Sequence, residues 1–391
     1  MKNVLLYYSF GFALGGGEYL PLSFIAALQK TCNLTLAVDV AVNIERSVKA
    51  FGAGLGIELS RLRVVQVTPP DYDPRNHSVL VSLYRFRKLK QLARDADVCL
   101  STASIMDFGK PAHHFINMIA FGDDAFTSFA LGNDGPYRLG AMNRAGRFFS
   151  DAILRPLLGM RSKRSVIRDR RQHIYPNSLY VAGMMAKYYG PFNSTVFFPP
   201  TLFEPKAAEP GGRDPLKVVY IGRIIREKRI TDLIGIVEKT RAATGLPVTF
   251  HLAGRVDQSP AYGKELAGMA RERDWLKFTG ALYGEEKERF LMSGSFALHA
   301  ERHEAFGISV AEYLVSGNIA IVPDEGGSRE VVDSPALSYR TDDEAAGILS
   351  RLLTDAAFRE EQRRHCAERA KTFTRQAYME RQHTLLDGIL N

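Results

Sequence analysis

The chain has 391 residues, of which 46% are hydrophobic and 24% charged, a composition ordinary for a globular protein and a length that predicts two domains with separate cores. No apolar run approaches the about 18 residues that a spanning helix needs, and the N-terminus is expected to be a strand and not a signal peptide. The three cysteines, Cys32, Cys99 and Cys366, are scattered and lack metal-ligand spacing, which indicates reduced thiols in a cytosolic protein.

The net charge of +8 is unevenly distributed. Residues 1–205 contain 24 Lys and Arg and 15 Asp and Glu, a balance of +9, whereas the remainder contains 27 and 28, a balance of −1. The basic cluster consists of Arg161, Lys163, Arg164, Arg168, Arg170 and Arg171. Such a cluster attracts anionic surfaces such as phospholipid headgroups, lipid-linked phosphates or nucleic acid. The alternative is a solvated basic face that maintains solubility.

The first half of the chain reads as the opening of a doubly wound sheet. A strand over Val4–Ser9 and a helix over Tyr19–Gln29 flank the turn Gly15-Gly16-Gly17-Glu18, and a strand over Leu34–Val38 follows. Further strands are predicted over Arg63–Val67, Val98–Ser101, His114–Ile119 and His173–Tyr175. The glycine turn suits the approach of a phosphate or sugar, but it matches neither the dinucleotide fingerprint nor the P-loop, which argues against NAD and ATP.

Proline and glycine then become dense, which predicts a linker over residues 201–215. The first domain is predicted over 1–200 and the second over 216–371. A final helical segment over 372–391 is expected to return to the first domain.

The second half repeats the alternation of strands and helices. Strands are predicted over Val218–Gly222, Val248–Ala253, Phe296–His299 and Ile319–Pro323, with a short strand ending at Phe278-Thr279-Gly280. Helices are predicted over Ile230–Thr244, Tyr262–Arg273, Glu285–Ser293 and Ile308–Val315, and from Arg329. Two α/β halves of this kind are expected to face a cleft and to bind their ligand at the carboxyl ends of the strands.

Two glutamates, Glu304 and Glu312, stand on either side of the start of an apolar helix that begins after Gly307. The helix N-terminus attracts an anion, and carboxylates accept hydrogen bonds from hydroxyls. This combination suits a nucleotide-sugar. The alternative is a solvated glutamate before a helix and another on its polar face.

A second motif, Gly222-Arg223 followed by Glu227-Lys228, lies where the first strand of the second half turns toward a helix. Arginine binds phosphate as a fork and lysine as a point charge, so the two cations suit a diphosphate. A solvated turn rich in basic residues, including Arg226 and Arg229, is the alternative.

The remaining sequence patterns are weaker indications of a functional site. Asp71-Tyr72-Asp73 and Asp95-Ala96-Asp97 have spacings that suit a divalent cation, but they read as solvated loop carboxylates. His113-His114 has no third ligand at a useful spacing. The segment Arg144–Arg171 reads as a core helix, or as an interfacial helix on an anionic membrane.

Together these motifs resemble the retaining GT-B glycosyltransferases of family 4, which include lipid-linked mannosyltransferases and sucrose synthase. Glu304 and Glu312 are similar to the family's pair of glutamates eight residues apart, with Phe306-Gly307 as its Phe-Gly. The Gly222-Arg223 turn is similar to its Gly-Arg…Glu-Lys turn, and the first glycine loop to its Gly-Gly-x-Glu loop. Asn177-Ser178 and then Phe198-Pro199-Pro200 resemble the segment before its linker.

The resemblance implies an α/β GT-B fold, with two Rossmann-like domains facing a central cleft. It also implies a donor site, in which Arg223 and Lys228 hold the diphosphate and Glu304 contacts the donor sugar. The donor-binding set is Gly222, Phe306, Gly307, Ile308, Glu312, Gly16 and Gly17, with Glu312 on the ribose. Anomeric configuration would be retained by same-face attack, with neither metal nor cofactor.

The acceptor side departs from the family pattern. The lipid-linked mannosyltransferases usually have a His before a Phe-Pro-Asp-like loop, whereas here Ala120 precedes Phe121-Gly122-Asp123-Asp124. Either His114 serves instead or the site works without it, so His114, Asp123 and Asp124 are weak acceptor-side candidates.

The resulting hypothesis is a hexosyltransferase at the cytoplasmic face of the membrane, held there by the basic cluster. It would use a nucleotide-sugar donor and a lipid-linked or oligosaccharide acceptor in glycan, polysaccharide or O-antigen synthesis. A GT-B enzyme with a soluble acceptor is the nearest alternative. A non-catalytic nucleic-acid-binding protein is another, but it leaves the glutamate pair unexplained.

Overall fold

The computed structural model describes residues 1–9, 18–40, 57–70, 72, 79–102, 104–118, 124–130, 153, 155–201, 212–256 and 260–391. The chain divides into two compact units. Unit 1 comprises Met1–Pro199 together with Arg381–Asn391, and unit 2 comprises Pro200–Glu380. Unit 1 is therefore assembled from two segments that are far apart in sequence.

Unit 1 contains a parallel six-stranded sheet in the order β3-β2-β1-β4-β5-β6. Its strands are β1 (Asn3–Tyr8), β2 (Asn33–Val38), β3 (Arg63–Gln66), β4 (Val98–Ser101), β5 (His113–Ile116) and β6 (His173–Pro176). Its helices are α1 (Tyr19–Leu28), α2 (Val79–Arg94), α3 (Asp124–Ala130), α4 (Lys163–Arg168) and α5 (Leu179–Tyr189), with a short 3-10 helix at Leu59–Arg61 and a three-residue α-helical segment at Arg155–Leu157. Five of the six residues of the central strand β1 are buried, as expected for a parallel sheet covered on both faces.

Unit 2 contains a second parallel six-stranded sheet, in the order β12-β11-β10-β7-β8-β9. Its strands are β7 (Asp214–Ile221), β8 (Thr249–Ala253), β9 (Leu276–Gly280), β10 (Gly294–Leu298), β11 (Ile319–Pro323) and β12 (Ser338–Tyr339). Its helices are α6 (Ile230–Thr244), α7 (Pro260–Glu272), α8 (Gly284–Ser293), α9 (Ile308–Val315), α10 (Gly327–Val332), α11 (Asp342–Thr354) and α12 (Ala356–Ala370), with turns at Arg226–Lys228, Pro335–Leu337 and Lys371–Phe373. The last helix, α13 (Arg375–Leu390), begins in unit 2 and ends in unit 1.

The two sheets share one topology. In each, the first strand of the unit is central, with the second and third strands on one side and the fourth to sixth on the other. This is the doubly wound order, in which chain direction across the sheet reverses beside the first strand. Ligands of such folds bind beyond the carboxyl ends of the strands at that reversal. In unit 2 the reversal lies between β7 and β10.

Two predicted strand boundaries were wrong by three or more residues. Strand β5 ends at Ile116 and not at Ile119, because it pairs in register with β6 and Ile116 lies opposite Pro176, the last residue of that strand. Strand β7 begins at Asp214 and not at Val218, because Asp214 pairs with Gly294 at the start of β10. Pairing with a neighbour therefore sets both ends, and the apolar pattern of the strand alone does not show them.

The segment Arg144–Arg171 is described only in part, since residues 144–152 and 154 lie outside the described residues. Its helix α4 buries Val166 and Ile167 completely or nearly so, which favours a helix packed on its own unit over an interfacial one. Among the described residues, no helix combines the length and apolarity needed to cross a membrane.

Candidate functional site

The loop after β7 carries the first predicted site residues. Gly222 has a φ of +156°, and its N–H donates to the Ala253 carbonyl at 3.0 Å. A Cβ on Gly254 would lie 1.8 Å from the Gly222 carbonyl oxygen. Since only glycine fits where two backbones approach so closely, the loops after β7 and β8 are held in contact, and the position of Arg223 is fixed by the backbone before it.

Lys228 ends the short turn Arg226–Lys228 and points to the loop after β10. Its Nζ donates to Glu304 Oε2 at 2.6 Å and also forms an ion pair with Glu301. The three side chains are only 16%, 19% and 23% exposed for Lys228, Glu304 and Glu301. One cation therefore bridges two carboxylates in a half-buried position at the carboxyl edge of the sheet.

Glu304 is positioned by the glycines that open α10. The Gly327 N–H donates to the Glu304 carbonyl at 2.7 Å. A Cβ on Gly326 would lie 2.5 Å from the Arg302 carbonyl oxygen, and one on Gly327 would lie 2.3 Å from that of Ala305. The loop that carries Glu304 therefore packs directly against the backbone of two glycines, Gly326 and Gly327.

The electrostatics of this cluster follow from its burial. Burial raises the pKa of Glu301, and the neighbouring Glu304 carboxylate raises it further. Burial also opposes ionisation of Glu304, but Lys228 and His299 outweigh it and lower the pKa of that carboxyl to about 2. The same carboxylates hold the pKa of Lys228 above its ordinary value despite its burial. Glu304 and Lys228 are therefore ionised at neutral pH.

His299 lies behind the cluster and is 1% exposed, with its Nε2 3.5 Å from Glu304 Oε2. Burial lowers the pKa of His299 to about 4, so its ring is neutral at pH 7. The cluster thus contains one cation and two carboxylates that can ionise.

Arg223 differs from the other cations of this turn. Its side chain is exposed, and within the described residues no hydrogen bond or ion pair engages its guanidinium. Arg226, by contrast, pairs with Glu265 at 3.0 Å and lies over the Tyr262 ring. Arg223 is therefore a cation that an anionic ligand could engage without breaking a protein contact.

Helix α9 supplies the second predicted glutamate. The helix begins after Gly307, which has a φ of +94°, and within the described residues no side chain caps this N-terminus. Its early amides are therefore able to bind an anion. Glu312 is 2% exposed, and Lys287 of α8 donates to its Oε1 at 2.6 Å. Phe306 is buried and packs edge-to-face on Phe373 at 5.7 Å, which fixes the start of the helix.

The structure brings Gly222, Arg223, Lys228 and Glu304 together at the ends of β7 and β10, with Phe306, Gly307, Ile308 and Glu312 in and after the same loop. The N-terminal candidates are different. Gly16, Gly17 and Asp123 lie outside the described residues, and Asp124 is the first residue of α3.

His114 is completely buried. Its Nε2 lies 3.1 Å from Gln172 Oε1, its Nδ1 accepts from the Met106 amide at 3.5 Å, and its ring stacks on Phe108. It also lies near the amino end of β5, the end opposite to that at which open α/β sheets bind ligands. These contacts favour a packing role, and the acceptor-side role of His114 stays a prediction.

Three residues of the site were missed. Glu301 stands three residues before Glu304 in a loop, where no periodicity marks it. His299 follows a buried strand, a position that could have indicated it. Lys287 lies 25 residues before Glu312, and the sequence does not show that the two side chains meet.

Buried histidines predict a loss of stability in acid. Burial lowers the pKa of both His114 and His299 from 6.5 to about 4. The unfolded chain binds protons at these rings below about pH 6.5 and the folded chain does not, so stability is full above pH 6.5 and falls as the pH drops toward 4. Each ring should contribute about 1.4 kcal/mol per pH unit.

Melting temperatures measured from pH 7 to 5 would test this expectation. His114→Gln should give a shallower decline than the wild type, whereas His383→Gln, at an exposed position of α13, should not change it. Equal declines for all three proteins would contradict the assignment of neutral buried rings.

Comparison with known proteins shows what the chain is similar to. Residues 204–373 match the family model "Glycosyl transferases group 1". A GDP-mannose-dependent alpha-mannosyltransferase of Mycobacterium tuberculosis (strain CDC 1551 / Oshkosh) is 30% identical over 115 residues, which are 29% of this chain and 27% of that protein. The match thus spans about a quarter of the curated relative.

Two solved structures are similar over nearly the whole chain. Anabaena HepE in complex with UDP and glucose superposes with a TM-score of 0.67 at 14% identity, covering 99% of this chain and 100% of that one. WaaG, a glycosyltransferase involved in lipopolysaccharide biosynthesis, gives 0.65 at 12% identity and covers 97% and 98%. Unit 2 thus carries the Glycosyl transferases group 1 match, and the chain has the α/β GT-B fold, with two doubly wound parallel sheets.

Proposed function

We propose that this protein is a retaining glycosyltransferase that moves one hexose from a nucleotide-sugar to a lipid-linked or oligosaccharide acceptor. The observation that carries the proposal is the ion pair of Lys228 with Glu304, set beside the unengaged Arg223 at the reversal between β7 and β10. This edge of the sheet combines two cations, a carboxylate and a helix N-terminus. These groups suit the phosphates and hydroxyls of such a donor. The family match over residues 204–373 supports the same reaction class.

In this proposal Arg223 and Lys228 hold the donor diphosphate. Glu304 accepts a hydrogen bond from the donor sugar, and the amides at the start of α9 take part in binding. Glu312 has one oxygen held by Lys287, so its other oxygen is the one available to a ribose hydroxyl. Lys287 then orients the ribose-binding carboxylate.

The reaction proposed is attack by the acceptor hydroxyl on the face that the diphosphate leaves, with the leaving diphosphate taking the acceptor proton. Negative charge grows on the diphosphate as the glycosidic bond breaks. Arg223 and Lys228 would stabilise that charge, and preorganised stabilisation of this kind is the largest catalytic contribution in many enzymes.

A thermal-shift screen with UDP-, GDP- and dTDP-sugars would test the donor class. A ligand that binds only the folded protein raises the melting temperature by mass action, by about 2.7 kcal/mol at a concentration 100 times its Kd. The relatives name different nucleotides, GDP-mannose in one and UDP with glucose in another, so all three bases belong in the screen. Absence of stabilisation by every nucleotide-sugar would contradict the proposal.

Transfer should not require a metal ion. The proposal gives the diphosphate two protein cations, and among the described residues no group of three or more His, Cys, Asp or Glu is arranged to hold a metal. Asp97 accepts from the Asn3 amide at 2.8 Å, whereas Asp71 and Asp73 lie outside the described residues. Activity should therefore persist in excess EDTA. Loss of activity in EDTA that Mg²⁺ or Mn²⁺ restores would show that a carboxylate site had been overlooked.

We further propose that unit 1 meets an anionic lipid surface at the cytoplasmic face of the membrane. The support is the +9 balance of residues 1–205 and the basic cluster defined above. Part of the cluster is engaged within unit 1: Arg161 and Arg171 each bind Asp169 at 2.9 Å, and Arg168 donates to the Tyr189 carbonyl at 2.6 Å. Arg164, Arg168, Arg170 and Arg171 are nevertheless exposed.

Replacing Lys163, Arg164, Arg170 and Arg171 with Gln should release the protein from anionic vesicles and leave donor binding unchanged. Each basic residue near such a surface contributes about 1 kcal/mol, an attraction that salt weakens. Flotation with anionic and with neutral vesicles would measure it. A matched control is the replacement of four exposed cations of unit 2, Arg351, Arg363, Arg364 and Lys371, with Gln. Equal flotation of all three proteins would favour a soluble acceptor.

A further inference from the structure

The single positive charge of Lys228 faces two carboxyl groups, which is one more than its neutralisation requires. Lys228 contacts two carboxylates, those of Glu304 and Glu301, and because one oxygen of each lies against the same nitrogen, the two carboxyls are close neighbours. With both carboxyls ionised, the triad of Lys228, Glu301 and Glu304 carries a charge of −1. A diphosphate brought onto Lys228 would then meet two carboxylates in a half-buried place, where like charges repel strongly.

The groups that face the triad do not offset its excess negative charge. His299 faces Glu304 and is neutral, because burial lowers its pKa to about 4. Tyr220 lies close to both glutamates, and burial raises the pKa of its hydroxyl, so it is neutral too. Of the cations in the described residues, Arg223 is the remaining one nearby, and Arg302 is directed to Glu325 at 3.9 Å and to the Arg340 carbonyl. A single added proton is the smallest change that makes the triad neutral.

The two carboxyls are not equal recipients of that proton. Glu304 also has His299 beside it, and its pKa is lowered, whereas the pKa of Glu301 is raised by burial and by Glu304 itself. A protonated Glu301 could donate its O–H to the Glu304 carboxylate and would end its ion pair with Lys228. The lysine ammonium can donate three hydrogen bonds, so one N–H turned away from Glu301 could go to a phosphate oxygen.

We propose that Glu301 takes up one proton from solvent when a nucleoside-diphosphate donor binds at Lys228, so that donor affinity falls as the pH rises. The inference rests on the proposed function, because it takes the donor diphosphate as the ligand of Lys228. Glu301 acts here through Lys228 and Glu304 and is a positioning residue. No covalent bond changes, and release of the nucleotide returns the proton to solvent.

Isothermal titration calorimetry in buffers of different ionisation enthalpy measures the proton count directly. UDP-glucose and GDP-mannose are suitable probes, because each of their phosphates has one ester and one anhydride linkage and keeps a single acidic group that does not titrate between pH 6 and 8.5. The wild type should take up close to one proton per bound nucleotide-sugar near pH 7.5. At pH values above the range in which Glu301 ionises in the free protein, its affinity for the nucleotide-sugar should fall by up to about tenfold per pH unit.

Glu301→Gln gives the sharpest comparison, since the amide has the shape and hydrogen-bonding pattern of the protonated acid. It should bind without proton uptake, with an affinity that does not depend on pH, and about tenfold or more tightly than the wild type at pH 8.5. Glu265→Gln, which alters the exposed partner of Arg226 near the same turn, should keep the wild-type proton count. If Glu301→Gln does not fold, the number of protons that the wild type takes up on binding still tests the proposal.

The outcomes separate the two proposals. Binding by the wild type without proton uptake, or equal pH dependence in the wild type and Glu301→Gln, would overturn the role of Glu301 and leave the proposed function intact. Failure of both nucleotide-sugars to bind the wild type and Glu301→Gln at every pH would count against the donor class itself and therefore against both proposals.

Discussion

Lys228→Ala should lower the rate of sugar transfer by on the order of 100-fold or more. The variant removes a preorganised cation from the place where charge grows on the leaving diphosphate, and the loss of one such group typically costs about 2.7–4 kcal/mol of transition-state stabilisation. Arg223→Ala should have an effect of the same size, because its exposed guanidinium has no hydrogen bond or ion pair within the described residues. Steady-state kinetics with the donor identified by thermal shift would measure both.

Loss of folding must be separated from loss of catalysis, because Lys228→Ala leaves two half-buried carboxylates facing each other. The double variant Lys228→Ala/Glu301→Gln removes that repulsion and should recover much of the melting temperature without recovering turnover. Arg226→Ala, which removes a cation of the same turn that is bound to Glu265, should keep near-normal turnover. Near-normal turnover in both Lys228→Ala and Arg223→Ala would contradict the assignment of the donor site.

Gly327→Ala should destabilise unit 2 and weaken donor binding together. An added Cβ would lie 2.3 Å from the Ala305 carbonyl oxygen and 2.6 Å from the Phe306 Cα, both of which are backbone atoms. The loop that carries Glu304 would have to move, and overpacking of this kind typically costs about 1–3 kcal/mol or more. Thermal unfolding together with donor titration would measure both effects.

Gly347→Ala is the matched control for that glycine. Gly347 is an exposed residue of α11, and a Cβ there would have no atom within 4 Å. Alanine is favoured over glycine in a helix interior, so this variant should be stabilised by about 0.5–1 kcal/mol. A Gly327→Ala protein with the melting temperature and donor affinity of the wild type would show that Glu304 does not depend on this contact.

The sequence was sufficient for the fold class because the chain alternates strands and helices with clear apolar patterns. The helices over Ile230–Thr244 and Ile308–Val315 and the strands over Val98–Ser101 and Ile319–Pro323 were predicted with their observed limits. Lys228 and Glu304 were recognised because each stands in a short motif at the end of a strand. Their distance in sequence gave no information on the contact between them.

The rest depended on topology. Lys228 meets Glu301 only because β7 and β10 are neighbours in the sheet, although three helices and two strands separate them along the chain. The adjacency of β7 and β8 likewise explains why Gly254 had no visible role before the structure placed it against Gly222. Local pattern predicts elements well, but it does not show which loops meet at a reversal of strand order.

Because unit 1 is built from two segments that are far apart in sequence, its last segment is synthesised only after unit 2. Its last helical turns bury Gln382, whose Nε2 donates to Ser23 at 3.0 Å, and the Lys2 ammonium donates to the Leu390 carbonyl. On the ribosome, residues 381–391 emerge only after all of unit 2 has been made. Unit 2 can therefore complete its core first, while the sheet of unit 1, although made earlier, still lacks the helical turns that bury Gln382 against it.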